Sequence, residues 1–134
     1  MYRTRVRNMA HPGIRQFILR TAVLNYLGKS LQFQWADWQN QHMHQRSVQE
    51  EIAKATEQAT LDQVLVARAA LEQTIEELRE KVLATHKLLL REYNDLYSYM
   101  MDKRDLWDSP EYFKAKTALT TANQNLKLFI AVDN

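Results

Sequence analysis

The sequence contains no cysteine and only two glycines and two prolines among its 134 residues. Without cysteine, a disulfide framework, a zinc–thiolate site and a thiol nucleophile are all excluded. The scarcity of glycine and proline leaves few places for tight turns, so the composition disfavours hairpin-rich sheets and favours long helices. Hydrophobic residues make up 46% of the chain and charged residues 25%, as in an ordinary globular protein.

Acidic residues are absent from the first 36 positions, and Asp37 is the first carboxylate. This stretch carries six basic residues, whereas the rest of the chain carries 12 basic and 16 acidic residues. A basic, acid-free segment is typical of mitochondrial targeting and of attraction to anionic lipid, and it also arises by chance. The candidates for either role are Arg3, Arg5, Arg7, Arg15 and Arg20.

Long apolar runs are also lacking. The most apolar window, residues 17–27, is interrupted by Arg20. It is much shorter than the roughly 20 apolar residues that cross a bilayer. Its apolar residues lie nearly all round a helix rather than on one stripe, which favours burial by a partner over lying flat on lipid.

The few breaking signals divide the chain into helices. Proline at position 12 suits a first helical turn and predicts a helix over about 12–44. The sequence Ser-Val-Gln-Glu at 47–50 has the pattern of a capping box, so a second helix is predicted over about 47–107. Ser109 followed by Pro110 predicts a third over about 110–131, antiparallel to the second. Residues 1–46 then form a basic segment with its helix, and residues 47–134 a long helical hairpin.

The second helix carries a heptad repeat beginning at Leu61, which predicts an all-α fold built on a coiled-coil seam. Its a positions are Leu61, Arg68, Ile75, Val82, Leu89, Leu96 and Lys103, and its d positions are Val64, Leu71, Leu78, Thr85, Glu92, Tyr99 and Leu106.

The third helix is too short to cover this whole seam, because it reaches back only to about residue 85. The remainder needs the first helix, a second copy of the chain or another protein to cover it. The predicted partner-binding residues are Leu71, Ile75, Leu78 and Val82 on the seam, and Trp35 and Trp38 after the basic segment.

No pattern in the sequence indicates catalysis. Phosphate-binding, nucleophile-elbow and metalloprotease motifs are absent. His42 and His44 are spaced two apart, which places them on different sides of a helix. A carboxylate cluster lacks the Glu-x-x-His pattern of di-iron bundles: Glu72, Glu76, Glu77 and Glu80. We therefore predict no enzyme, no cofactor and no metal.

Aromatic residues gather around the predicted second turn, where we expect rings to pack in the core; a partner-binding patch is the alternative. They are Tyr93, Tyr97, Tyr99, Trp107, Tyr112 and Phe113.

These observations predict a non-catalytic helical subunit or assembly factor of a larger complex. Other subunits or a second copy would bind through the seam, and the basic start favours a mitochondrial, inner-membrane-associated protein over a cytoplasmic one. A bacterial or viral coiled-coil assembly or secretion component is the alternative. A nucleic-acid-binding protein is a weaker one, because the chain after residue 36 is net acidic.

Overall fold

Residues 11–54 and 58–129 are described in a computed structural model, and three α-helices account for nearly all of these residues. Helix α1 runs over Pro12–Lys54, α2 over Gln58–Asp102 and α3 over Pro110–Leu128, with a short 3-10 turn at Arg104–Leu106. The two described ranges contain no strand. The prediction of an all-α fold with a helical hairpin is confirmed.

Local signals explain where two of the helices begin. Pro12 starts α1, and the Gly13 amide donates a hydrogen bond to His11 Nδ1 at 2.9 Å. Pro110 starts α3 after Ser109, whose Oγ accepts a hydrogen bond from the Tyr112 amide at 3.2 Å. Both starts follow the sequence prediction, because proline fits the first helical turn and serine satisfies a free amide there.

The predicted start of the second helix at Ser47 is wrong. Residues 47–50 lie inside α1, which continues to Lys54, and α2 begins at Gln58. Val48 is buried against Leu71 and Ile75 of α2, so packing at this position favours a continuous helix over a cap. Residues 55–57, between the end of α1 and the start of α2, lie outside the described residues. The predicted boundary between a segment 1–46 and a hairpin 47–134 therefore lies inside α1.

The helices pack as neighbours with alternating direction, so that α1 and α3 both run antiparallel to α2. The Tyr99 hydroxyl donates a hydrogen bond to the Gly13 carbonyl at 3.3 Å, and His86 Nε2 lies 2.9 Å from the Leu126 carbonyl. These contacts bring the start of α1, the second half of α2 and all of α3 together. We call residues 12–35, 82–106 and 110–129 the bundle.

Beyond the end of α3 at Leu128, α1 and α2 continue as a pair, which we call the arm (residues 36–54 and 58–81). The core of the arm consists of Val48, Leu71 and Ile75, with Trp38, Ile52 and Val64 packed against it. The bundle core is larger and draws on all three helices. At 1.5 Å per residue, the α1 portion of the arm is about 28 Å long.

The predicted heptad register on α2 is confirmed by burial. Every a and d position from Leu61 to Leu106 is buried or half-buried, including the polar positions Arg68, Thr85 and Glu92. In the bundle this seam packs against both other helices, and in the arm it packs against α1 alone.

Candidate interaction surface

Five of the six predicted partner-binding residues belong to, or pack against, the chain's own cores. Val82 belongs to the bundle core, while Leu71 and Ile75, each 9% exposed, belong to the arm core. Leu78 is half-buried. The seam needed the first helix, a second copy or another protein to cover it. In the arm it is the first helix that does so, because α1 lies over Leu71 and Ile75.

The two predicted tryptophans lie at the junction of bundle and arm. Trp35 packs against Phe129 with ring centroids 5.3 Å apart, and Trp38 stacks on His42 at 5.1 Å. Trp38 contacts both cores, so it connects the bundle with the arm. Both side chains are half-buried and have a structural role in this arrangement.

The five predicted arginines divide into three groups. Arg3, Arg5 and Arg7 lie outside the described residues. Arg15 is exposed on α1. Arg20 is half-buried, with its guanidinium 5.2 Å from the centre of the Tyr99 ring, so it contributes a cation–π contact between α1 and α2.

The aromatic group at the second turn is mostly packed, as predicted. Phe17 of α1 meets the Tyr99 ring edge-on at 5.3 Å, and Trp107 stacks on Tyr112 at 5.5 Å. The Trp107 indole donates a hydrogen bond to the Met100 carbonyl at 2.8 Å. Tyr97 and Phe113 are exceptions and remain exposed.

The glutamates at 72, 76, 77 and 80 are all exposed on α2. Glu72 accepts from Arg68 at 3.0 Å and Glu76 from Arg79 at 3.3 Å, while Gln73 donates to Glu77. Among the residues described, no three histidines, aspartates or glutamates converge as metal ligands. The glutamates form a solvated face with local ion pairs.

An apolar surface that the sequence did not localise lies on the outer side of α1. Leu19 and Tyr26 are 58% and 70% exposed, and Phe33 is 75% exposed. Val23 and Ile18 are also exposed. Because Leu19, Val23 and Tyr26 are spaced by four and three residues, they share one face of the helix, and Phe33 follows two turns later. We call Ile18, Leu19, Val23, Tyr26 and Phe33 the α1 stripe.

The other large apolar residues on this part of α1 lie on its opposite face and are buried in the bundle core. The buried set on this stretch consists of Ile14, Phe17, Leu24, Leu27 and Leu31. The bundle therefore uses one side of α1 and leaves the other uncovered. The sequence contained a signal of this, since the apolar residues of the window 17–27 lie all round the helix.

Next to the α1 stripe, a groove runs between α1 and α2. Ala22, Val23 and Tyr26 line its α1 side, and Leu88 and Arg91 line its α2 side. A neighbouring depression on α2 shares Leu88 and Arg91 and continues over Ala84, Lys87 and Leu90. The apolar surface thus extends from one helix onto the next, and we call it the α1–α2 groove.

The groove is open and shallow, which distinguishes it from the enclosed pockets that hold small molecules. Exposed cations surround it and the stripe: Arg15 and Lys29 on α1, and Lys87 and Arg91 on α2. One acid also lines the groove, Glu92, whose Oε1 lies 3.3 Å from Arg91. The net charge of these five groups is positive.

None of the described helices is both long enough and apolar enough to span a bilayer. Comparisons with protein families, with curated proteins and with solved structures found no match to this chain.

Proposed function

We propose that this chain is a non-catalytic helical subunit or assembly factor of a larger complex, and that it binds another protein through the α1 stripe. The observation that carries the proposal is the exposure of Leu19, Val23 and Tyr26 on one face of a helix whose opposite face is fully packed. Apolar patches of this kind on a folded chain mark interaction sites.

Two further features support a binding role. The exposed set includes Tyr26 and Phe33, and aromatic side chains are enriched at the centres of protein interfaces. The surface is also shallow, so it fits a protein surface better than it fits a small substrate. Together these features favour a protein that assembles with others.

We propose a mitochondrial, inner-membrane-associated location as a separate part of this function. It rests on the sequence alone, namely the six basic residues and no acids among residues 1–36. The bacterial or viral assembly alternative uses the same binding surface, so the experiment on the surface does not depend on the location.

The experiment compares complexes isolated from native cells with the wild-type chain and with Tyr26→Asp. We expect the wild type to co-elute with a partner in constant stoichiometry during size-exclusion chromatography in mild detergent. Tyr26→Asp should elute without that partner while keeping its helical circular dichroism, because the charge is placed in the contact and not in the core.

Val66→Asp is the matched control, because Val66 is 71% exposed on α2 in the arm, away from the stripe. This variant should keep the partner. Elution of the wild-type chain alone, or retention of the partner by Tyr26→Asp, would contradict the proposed function.

A further inference from the structure

The charge and shape of the α1–α2 groove indicate which kind of protein it fits. We infer that the groove binds an amphipathic α-helix of another protein, whose apolar face is flanked by aspartate or glutamate. This inference rests on the proposed function and adds the chemistry of the partner to it.

Shape is the first argument. The groove lies between two antiparallel helices and is lined by Val23 and Tyr26 of α1 and by half-buried Leu88 and exposed Arg91 of α2. A helix placed along such a groove inserts apolar side chains at i, i+3 or i+4, and i+7. Leu19, Val23 and Tyr26 of the stripe have the matching spacing, and the distance from Leu19 to Phe33 is about 21 Å at 1.5 Å per residue. About four turns of a partner helix would cover it.

Charge is the second argument. Arg15 and Lys29 lie on α1 beside the stripe, and Lys87 and Arg91 lie on the α2 side of the groove. Glu92 offsets part of the charge of Arg91. The exposed acids Asp37 and Asp95 lie one helical turn beyond Phe33 and Arg91, so the excess among these seven groups is one positive charge. Carboxylates on both edges of a partner's apolar face would meet cations on both sides, which favours their encounter and fixes their orientation.

The same charges argue against a second copy of this chain as the occupant. A symmetric dimer through the stripe would bring two copies of the same positively charged surface together. The repulsion would be largest at low salt, where charges are least screened.

The recessed part of the surface distinguishes a partner helix from a bilayer. Leu19, Tyr26 and Phe33 of the stripe are exposed, as the apolar residues of helices on bilayers are. Leu88 is half-buried in the groove beside the exposed cations Lys87 and Arg91. A side chain of a partner helix can contact Leu88 there, whereas the plane of a bilayer cannot.

The probes are three synthetic helical peptides with the same leucine face and with flanking positions occupied by glutamate, glutamine or lysine. Binding of each to the full chain is measured by fluorescence anisotropy at low and at high salt. We expect the glutamate peptide to bind at least about tenfold more tightly than the lysine peptide, with a difference that shrinks at high salt. The double variant Lys87→Glu/Arg91→Glu should reverse this order.

Two variants locate the binding. Tyr26→Asp should abolish binding of the glutamate and glutamine peptides, and Val66→Asp should leave it unchanged. Circular dichroism of each variant checks that the chain remains folded.

Several results would overturn the inference. Two of them concern the peptides: equal binding of all three, or an unchanged order of affinities in Lys87→Glu/Arg91→Glu. The other two concern a different occupant. They are binding to vesicles of phosphatidylcholine and phosphatidylserine that depends on Tyr26 while no peptide binds, and a dimer in sedimentation that depends on Tyr26. If the native complex still loses its partner in Tyr26→Asp, these results remove the acidic helix and leave the proposed function in place. If the native complex is unaffected by Tyr26→Asp, the proposed function itself fails.

Discussion

Gly28 lies at a close approach between α1 and α3. A β-carbon at this position would be 2.8 Å from Asn125 Nδ2, which is closer than such atoms come in folded proteins. Asn125 is buried, and its Oδ1 accepts a hydrogen bond from Gln32 Nε2 at 2.9 Å. The absence of a side chain at Gly28 thus makes room for a polar contact that fixes how α1 sits against α3.

The first prediction for a single residue concerns Gly28→Ala. Alanine is favoured over glycine in a helix by about 1 kcal/mol, but the new methyl group would displace Asn125 from its buried hydrogen bond, at about 1–3 kcal/mol. We expect a net loss of up to about 2 kcal/mol in the free energy of unfolding. Urea denaturation followed by circular dichroism measures it.

Asn125→Ala provides the matched background, because it removes the side chain that the new methyl group would meet. In that background Gly28→Ala should be stabilising, by up to about 1 kcal/mol. The two positions should therefore be coupled by about 1 kcal/mol or more. An equal effect of Gly28→Ala in both backgrounds would show that Asn125 does not restrict position 28.

Among the helices, α2 and α3 were predictable because their signals agree with their packing. The heptad on α2 has the same register as its burial, and Ser109 with Pro110 marks the start of α3. The break between α1 and α2 was not predictable in the same way. A capping pattern at 47–50 competes there with the packing of Val48, and only the tertiary contact decides in favour of a continuous helix.

The α1 stripe was predictable in part. The composition of residues 17–27 indicates that the helix is apolar on more than one side, and so that something beyond the core contacts it. It cannot say which side packs internally, because that depends on how α2 and α3 approach. The prediction placed the partner surface on the seam of α2, where α1 itself covers Leu71 and Ile75.

A prediction at the scale of the elements concerns Ile75→Asp in the arm. Ile75 is packed between α1 and α2 with Val48, so a carboxylate there loses apolar contacts and is partly removed from water. We expect the arm to lose about 2–4 kcal/mol of stability against opening. Hydrogen exchange should accelerate in residues 58–81, while residues 82–102 keep their protection and the stoichiometry of the chain stays the same.

Val66→Asp introduces the same charge on the exposed side of the same helix. It should change stability by no more than about 0.5 kcal/mol, since valine and aspartate have similar helix propensities and Val66 contacts mainly solvent. Loss of an oligomer in Ile75→Asp without faster exchange would show that the arm core is formed between chains.

At the scale of the whole molecule, the chain combines a bundle with a broad core and an arm with a narrow one. The arm core has three buried apolar residues from two helices, whereas the bundle core draws on three helices and on the aromatic contact of Trp107 with Tyr112 at the second turn. Regions with few buried contacts open locally at lower free energy than the rest of a protein. The arm is accordingly the part of the described chain that we expect to open first.

A prediction for the whole chain concerns the basic start, outside the described residues. Replacing Arg3, Arg5 and Arg7 with glutamate should prevent import of the chain into isolated mitochondria, because targeting segments depend on positive charge and exclude acids. Protease protection of radiolabelled chain measures the import.

Replacing the same arginines with lysine keeps the charge and should preserve import. Equal import of the glutamate and lysine variants would show that the charge of these residues is incidental. Failure of the wild-type chain to enter would remove the mitochondrial part of the proposal.

The antiparallel topology also has a consequence for the order in which the molecule assembles. Contacts next to the turn between α2 and α3 join residues that are close in sequence, such as Trp107 and Tyr112. The pair Gln32 and Asn125 is separated by 93 positions, and Tyr99 and Gly13 by 86. Because closing a longer loop costs more chain entropy, we expect the α2–α3 hairpin to form early in folding and the start of α1 to dock late. The segment that carries the exposed stripe would then reach its place only after the rest of the bundle exists.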